Sequence, residues 1–402
     1  MNHKLFSKDF TLVVGNAALR FALPLYLLNL TGSSALYGTV MACAFIPSVL
    51  LSPVGGIVAD RVNKRNIMVI LDFFTAAIIL IFFLLMDGGN IIALLTVTLM
   101  LLYGIAGAYQ PSVQASIPAL VEPGMLMAAN SIINTISSFA SLSGPVLGGI
   151  LYSAYGIKLV LSVCMICFVL SAVMEIFITI PFQRPVSGGS IWRSVKSDFA
   201  ESIRFIRRGK PVIGKTLLVV CGINLFLSAM IIVALPYLIT EVFDLGAFEA
   251  NRLYGYAQGA LAAGGLTGGI GAGVFSGRLS IQKSGNLLTA CAVCVFPAAF
   301  VLILCSSGIV NYIVLTICCF IIMIFSTIFT VQMMSFMQAE TPQHLIGKVI
   351  AVALTFSMCA QPVGNALYGI LFEICGGFEY VVVLFSGVVS LLIAISARNI
   401  FR

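Results

Sequence analysis

Long apolar runs constrain this chain more than any other feature of it. Stretches of mostly apolar residues lie at roughly 10–30, 35–58, 67–86, 91–113, 128–152 and 157–180. A second set lies at roughly 212–240, 253–275, 286–306, 309–332, 349–373 and 378–397. A helix needs about 20 such residues to cross the hydrocarbon core of a bilayer. Charged residues make up 9% of the chain, against about 25% in soluble domains. A soluble fold would expose large apolar patches with this composition, whereas lipid solvates such faces directly. The ten-residue alternating segments of a transmembrane barrel are absent. The expectation is an all-α membrane protein with twelve transmembrane helices. The first run reaches spanning length with no small-residue cleavage site close behind it, so it reads as a retained helix and not a signal peptide.

Lysine and arginine concentrate on the cytoplasmic side of membrane proteins. With the amino terminus inside, 18 of the 21 basic residues fall in inside segments. The exceptions are Lys158 and Arg252 outside, and Arg20 within the first helix. The reverse orientation would place those 18 outside. Both termini are therefore expected in the cytoplasm of a multi-pass cell-membrane (inner-membrane) protein. The net charge of +7 then reflects the inner membrane surface and not a nucleic-acid partner.

The chain carries an internal repeat. Leu36-Tyr37-Gly38 recurs as Leu253-Tyr254-Gly255, an offset of 217 that also takes Arg61 to Arg278 and Pro145-Val146 to Pro362-Val363. Ala22-Leu23-Pro24 recurs as Ala234-Leu235-Pro236 at an offset of 212. Several matches at equivalent places point to duplication, with two pseudo-symmetric bundles of six helices. The expected division is a first bundle over 1–180, a linker over 181–211 and a second bundle over 212–402. The linker opens with Pro181, Pro185 and Gly188-Gly189, which break the helix. Beyond them Trp192, Val195, Phe199, Ile203 and Ile206 recur at helical spacing among basic residues, as in an amphipathic helix on the inner leaflet. A plain tether and a regulatory helix are both open.

The loop after the second helix reads Gly55-Gly56-Ile57-Val58-Ala59-Asp60-Arg61-Val62-Asn63-Lys64-Arg65. It resembles the signature loop of the major facilitator superfamily at Gly56, Asp60, Arg61, Lys64 and Arg65. Asn63 stands where the pattern has glycine, and asparagine tolerates the left-handed conformation such a turn would need. The resemblance implies that Asp60 faces the positive amino end of the eleventh helix, near Lys348, and latches a cytoplasmic gate. The other reading is a solvated loop whose charges only set topology. Gly144-Pro145-Val146-Leu147-Gly148-Gly149 resembles the end of the antiporter motif of exporters in that superfamily, at Gly144, Pro145, Gly148 and Gly149. Ser131 and Ala140 depart from the fuller motif. Ile117-Pro118-Ala119-Leu120-Val121, Ala128-Ala129-Asn130-Ser131, Ser197-Asp198-Phe199-Ala200-Glu201 and Arg204-Phe205-Ile206-Arg207 are similar to the macrolide-efflux and enterobactin-exporter branch. Together these imply the major facilitator fold and favour an efflux antiporter of the drug-resistance kind.

Ionisable groups at membrane depth are expensive and are functional candidates by default. Asp72 in the third span and Glu175 in the sixth are candidates for proton coupling, with a structural ion pair as the other reading. Arg20 and Asn16, one turn apart, are candidates for the substrate cavity. Polar residues at helical spacing join them: Tyr103 and Gln110, Asn130 and Asn134, Asn224 and Ser228, and Gln361. A cavity with few charges and several amides and aromatics suits a bulky, partly apolar ligand. Bonding between helices is the other reading for each of these residues.

No P-loop, HExxH or exposed nucleophile motif is present, and the histidines are His3 and His344. An ATP-driven pump and a membrane enzyme are therefore disfavoured. The pairs Cys164/Cys167 and Cys291/Cys294 sit inside apolar runs and read as small hydrophobes, not as metal ligands. No cofactor or metal is expected. The expected partners are a small-molecule substrate, protons and the bilayer, with the chain acting as a monomer. The leading expectation is proton-driven export of a drug-like or siderophore-like amphipathic compound by alternating access. Transport of a small polar solute and a non-transporting membrane receptor are the alternatives.

Overall fold

The computed structural model describes residues 3–120, 126–177, 201–275, 282, 284–342 and 345–400. Within these, side chains are described outside 3–13, 53–61, 110–112, 114–120, 126–134, 346–347 and 351. Four helices come first: α1 (His3–Thr31), α2 (Ser34–Arg61), α3 (Lys64–Leu85) and α4 (Ile91–Leu120). The helical stretch Leu126–Ile176 is broken at Gly156, whose φ of +75° lies outside helical space. It therefore holds two helices, α5 (126–155) and α6 (157–176).

The second set opens with α7 (Pro211–Val242), which contains π turns at Asn224–Ser228 and Leu238–Val242. Then come α8 (Ala247–Val274), α9 (Ser284–Leu304), α10 (Gly308–Glu340), α11 (Ile346–Ile374) and α12 (Glu379–Ile400). Among the described residues nine stretches are long and apolar enough to cross a membrane, one of them holding both α5 and α6. The remaining helices, α1 and α8, are 29 and 28 residues long. Leu84, Leu218, Leu304 and Ile374 are exposed on the helix surfaces, as lipid contact requires.

Short polar residues start the helices. Ser33 Oγ accepts from the Leu36 amide at the start of α2, and Asn90 Oδ1 from the Ala93 amide at the start of α4. Asn63 has φ −59° and ψ 116°, so it does not take the left-handed turn expected of it. Its side chain caps α3 instead, accepting from the Arg65 amide at 3.1 Å. A side-chain oxygen there satisfies an amide that the first turn leaves unbonded.

The helices pair in the same way in both sets. α1 packs on α5, α2 on α4, and α3 on the α5–α6 stretch. Lys158 pairs with Asp87 at one end of α3 and α6, and Arg65 donates to the Ile176 carbonyl at the other. Six helices later α7 packs on α11 and α9 on α12. Gly264 and Gly268 of α8 lie against the backbone of Phe320 and Ile324 of α10. The repeat seen in the sequence is thus a repeat of packing. Where glycine replaces a side chain, two helix backbones approach closely.

The chain divides into two compact units, Met1–Val186 with Ile239–Gly259, and Ser187–Leu238 with Ala260–Arg402. The end of α7 and the first half of α8 therefore pack with α1–α6. Most of the linker, 178–200, lies outside the described residues, including Trp192, Val195 and Phe199. In the described part, 201–209, Ile206 is buried with Ile213, Leu217, Met337, Leu345, Val349 and Val352. That apolar face covers the ends of α7, α10 and α11 where a lipid-facing surface was expected. Two ion pairs flank it, Lys348–Glu201 at 2.9 Å and Lys210–Glu340 at 2.6 Å.

Candidate substrate and coupling site

Arg20 lies in the middle of α1, half-buried, with Asn16 one turn before it. Its guanidinium carbon stands 4.0 Å from the centroid of the Tyr103 ring on α4. Tyr103 is buried and tilts against Phe45 of α2, with centroids 5.1 Å apart. Among the described residues no carboxylate pairs with Arg20 and no atom accepts a hydrogen bond from it. Its neighbour Phe21 stacks on Tyr254 of α8 at 4.8 Å and 22°. The Tyr254 hydroxyl receives Gln258 Nε2 at 2.9 Å and is hydrogen-bonded to the Tyr37 hydroxyl of α2. A guanidinium over the Tyr103 ring of α4 and a hydrogen-bonded Tyr37–Tyr254–Gln258 chain from α2 and α8 thus lie in one unit.

The glycine-rich part of α5 holds these elements together. Gly144 and Gly148 face α1 at Ala17, Ala18 and Phe21. Gly149 faces α8 at Asn251 and Gly255. A Cβ on Gly255 would stand 2.7 Å from the Pro145 carbonyl oxygen and 3.2 Å from the Gly149 Cα. No side chain fits there without the two helices separating. Nearby, Asn29 Nδ2 donates to Asn251 Oδ1 at 2.8 Å and to the Tyr152 hydroxyl at 3.2 Å.

Both candidate coupling carboxylates are buried within the first unit. Asp72 is 2% exposed on the face of α3 that also carries Met68, Thr75 and Ile79, and Glu175 is 1% exposed. Tyr109 of α4 donates its hydroxyl to Glu175 Oε1 at 3.1 Å. Of the gate motif, Lys64 and Arg65 open α3 and are half-buried. The side chains of Gly56, Asp60 and Arg61 lie outside the described residues, as do those of Gln110, Asn130 and Asn134.

In the second unit Asn224 Nδ2 donates to the Ser357 carbonyl at 3.2 Å, and Ser228 Oγ to Asn224 Oδ1 at 3.4 Å. These two candidates tie α7 to α11. Gln361 is half-buried on α11, and one and two turns on, Asn365 and Tyr368 are fully buried. The cysteines pack as small side chains: Cys164 Sγ donates to the Gly15 carbonyl at 3.3 Å and Cys291 Sγ to the Ile322 carbonyl at 3.7 Å.

Residue-by-residue reading missed Tyr37, Tyr254, Gln258, Tyr109, Asn29 and Asn251. The repeated Leu-Tyr-Gly carried a signal for the first two, since it put one tyrosine at the same place in each half. For Tyr109 the chain holds no local signal, because its partner Glu175 is 66 residues away.

The sequence profile of the Major Facilitator Superfamily matches residues 10–365. Macrolide efflux protein A of Streptococcus pyogenes is 22% identical over 392 residues, covering 95% of this chain and 91% of that one. The multidrug efflux pump Tap of Mycolicibacterium fortuitum is 23% identical over 377 residues, covering 90% and 87%. Among solved structures, the nucleoside transporter NupG superposes with a TM-score of 0.77 at 14% identity over 100% of both chains. A bacterial homologue of the iron transporter ferroportin, in an inward-facing state, gives 0.74 at 18% identity over 98% of both. At such identities the structural likeness fixes the fold alone. With a profile match over most of its length, this chain belongs to the Major Facilitator Superfamily and is a membrane transporter, not an enzyme.

Proposed function

We propose that the protein exports a drug-like or siderophore-like amphipathic compound in exchange for protons, by alternating access, with both termini in the cytoplasm. The observation that carries this reading is the cluster at the crossing of α1, α4, α5 and α8, where Arg20, Tyr103, Tyr37, Tyr254 and Gln258 meet beside the glycines of the antiporter-like motif. Flat aromatic faces with a few fixed polar groups suit a bulky, partly apolar ligand. The efflux proteins similar over nearly the whole chain support export; macrolides, which carry a basic amine, and amphipathic acids both belong in the first panel of compounds. Asp72 and Glu175 support proton coupling, because a buried carboxyl can exchange its charge for a proton at membrane depth. Asp60 is proposed as the carboxylate of a charge–dipole latch at the cytoplasmic gate.

The test is a growth-inhibition panel in a strain lacking its own exporters, with and without the gene, followed by proteoliposome transport under an imposed proton gradient. Protection that vanishes on collapsing the gradient supports the reading. Wild-type expression with no protection against any amphipathic compound, and no gradient-driven flux, removes it. Cysteine labelling at Lys64→Cys and Glu249→Cys checks the orientation: outside labelling at position 64 would reverse it.

A further inference from the structure

We infer that the transported compound carries an anionic group, which Arg20 receives, and that cationic amphiphiles are poor substrates. This rests on reading the Arg20 cluster as part of the substrate path. The contact of Arg20 among the described residues is the face of the Tyr103 ring at 4.0 Å. A cation–π contact is not a hydrogen bond to an acceptor, so the guanidinium N–H donors still call for a hydrogen-bonding partner. Among the described residues no carboxylate and no hydrogen-bond acceptor takes them up. The described groups of this cluster are neutral: Tyr103 under the guanidinium, Asn16 one turn away, and Tyr37, Tyr254 and Gln258 beyond Tyr103. Such groups cannot cancel a positive charge at membrane depth, so an incoming anion gains an uncompensated partner.

The same site works against a cation. A second positive charge within a side-chain length of Arg20 is repelled, and low surrounding polarity strengthens the repulsion. Asp72 and Glu175 form no described ion pair with Arg20. A planar fork of donors matches a carboxylate or another oxyanion in two-point contact. Phe45 of α2, half-buried beside Tyr103, suits a flat apolar body attached to that anion. The substrate class is therefore an aromatic or otherwise amphipathic acid, and Arg20 is the residue that selects its charge.

Purified full-length protein in detergent would be titrated with two fluorescent probes of similar size and flatness, 5-carboxyfluorescein and ethidium, read by anisotropy. The expected result is saturable binding of carboxyfluorescein at least about tenfold tighter than ethidium. Arg20→Gln should weaken carboxyfluorescein about tenfold and tighten ethidium several-fold, while Arg20→Lys, which keeps the charge and loses the planar fork, should keep the discrimination against ethidium and only part of the anion affinity. Size-exclusion profiles would show that both variants remain folded. The wild-type comparison needs no variant, so the idea stays exposed even if Arg20→Gln misfolds. Equal or tighter binding of ethidium, no binding of carboxyfluorescein, or an Arg20→Gln variant that binds it unchanged would each overturn the inference. Proteoliposome flux separates the two readings: carboxyfluorescein bound but never driven by a proton gradient keeps the charge selection and sinks the exporter. Gradient-driven export of ethidium alone does the reverse.

Discussion

Tyr37 and Tyr254 occupy equivalent positions in the two halves of the chain, 217 residues apart, and their hydroxyls hydrogen-bond to each other. Both are buried, at 2% and 5% exposure. A duplicated sequence has placed two copies of one residue face to face, on α2 and α8. Gln258 and Phe21 brace Tyr254 from two further sides. Both tyrosines lie in the first compact unit, so the pair ties the start of α8 to α2.

Tyr37→Phe and Tyr254→Phe should each loosen this junction without changing the packed volume. Losing one neutral hydrogen bond changes a two-state balance by about 0.5–1.5 kcal/mol, or roughly two- to tenfold. Cysteine labelling at position 33, on the side proposed to face outwards, should speed up by that factor in Tyr37→Phe and by more in Tyr254→Phe, which also loses the Gln258 bond, and the double variant should add little to Tyr254→Phe. A rate unchanged in all three would mean that the pair does not hold the start of α8 to α2.

Gly255→Ala should be costly, because its Cβ meets the Pro145 carbonyl oxygen and the Gly149 backbone. Overpacking of this kind costs about 1–3 kcal/mol. Gly269, on the same helix, has open space at its Cβ position, and Gly269→Ala should be neutral or stabilising by up to ~1 kcal/mol. Thermal melts of the two purified variants give the comparison. Equal melting temperatures would show that the α5–α8 crossing can spread without cost.

How much of this was legible in the sequence follows from what fixes each feature. The helices were legible because spanning length is a local property, and the runs near 67–86 and 378–397 match α3 and α12 within a few residues. The repeat was legible because duplicated strings survive in place. Asn63 was read against the wrong competitor: a glycine-like turn was expected where a capping side chain prevails. The described part of the linker was placed on lipid, but the same apolar periodicity serves any apolar surface, and Ile206 meets Met337 and Val349. Tyr109–Glu175 and Asn29–Asn251 join residues distant in the chain, and nothing local marks either pair.

The linker allows two kinds of contact to be weighed against each other. Ile206 is 7% exposed in a cluster of aliphatic side chains, and truncating such a residue costs about 2–5 kcal/mol. The Lys348–Glu201 pair is partly exposed on both sides, and pairs of that kind contribute about 0.2–1 kcal/mol. Ile206→Ala should therefore lower the melting temperature well below that of Glu201→Gln. The reverse order would mean that charge, and not apolar burial, attaches residues 201–209 to the second unit.

Glu175 offers the sharpest test of proton coupling, because its hydrogen bond permits a substitution that alters charge and little else. Tyr109 donates to Glu175 Oε1, and the amide oxygen of a glutamine can accept the same bond. Glu175→Gln should therefore keep the local packing while removing the carboxyl proposed to carry the proton. Asp72→Asn makes the matching change on α3, where Asp72 is as deeply buried. Neither variant should lose expression or its size-exclusion profile. In proteoliposomes, at least one of them should still exchange labelled for unlabelled substrate yet fail to concentrate it when a proton gradient is imposed. Exchange needs alternating access without net proton movement, so it reports an intact cycle, while accumulation reports coupling. Tyr109→Phe separates position from charge: it leaves the carboxyl in place without the Tyr109 bond, and it should shift the pH dependence of accumulation without abolishing it. If the double variant with Asp72→Asn and Glu175→Gln concentrates substrate as the wild type does, neither carboxyl carries the proton.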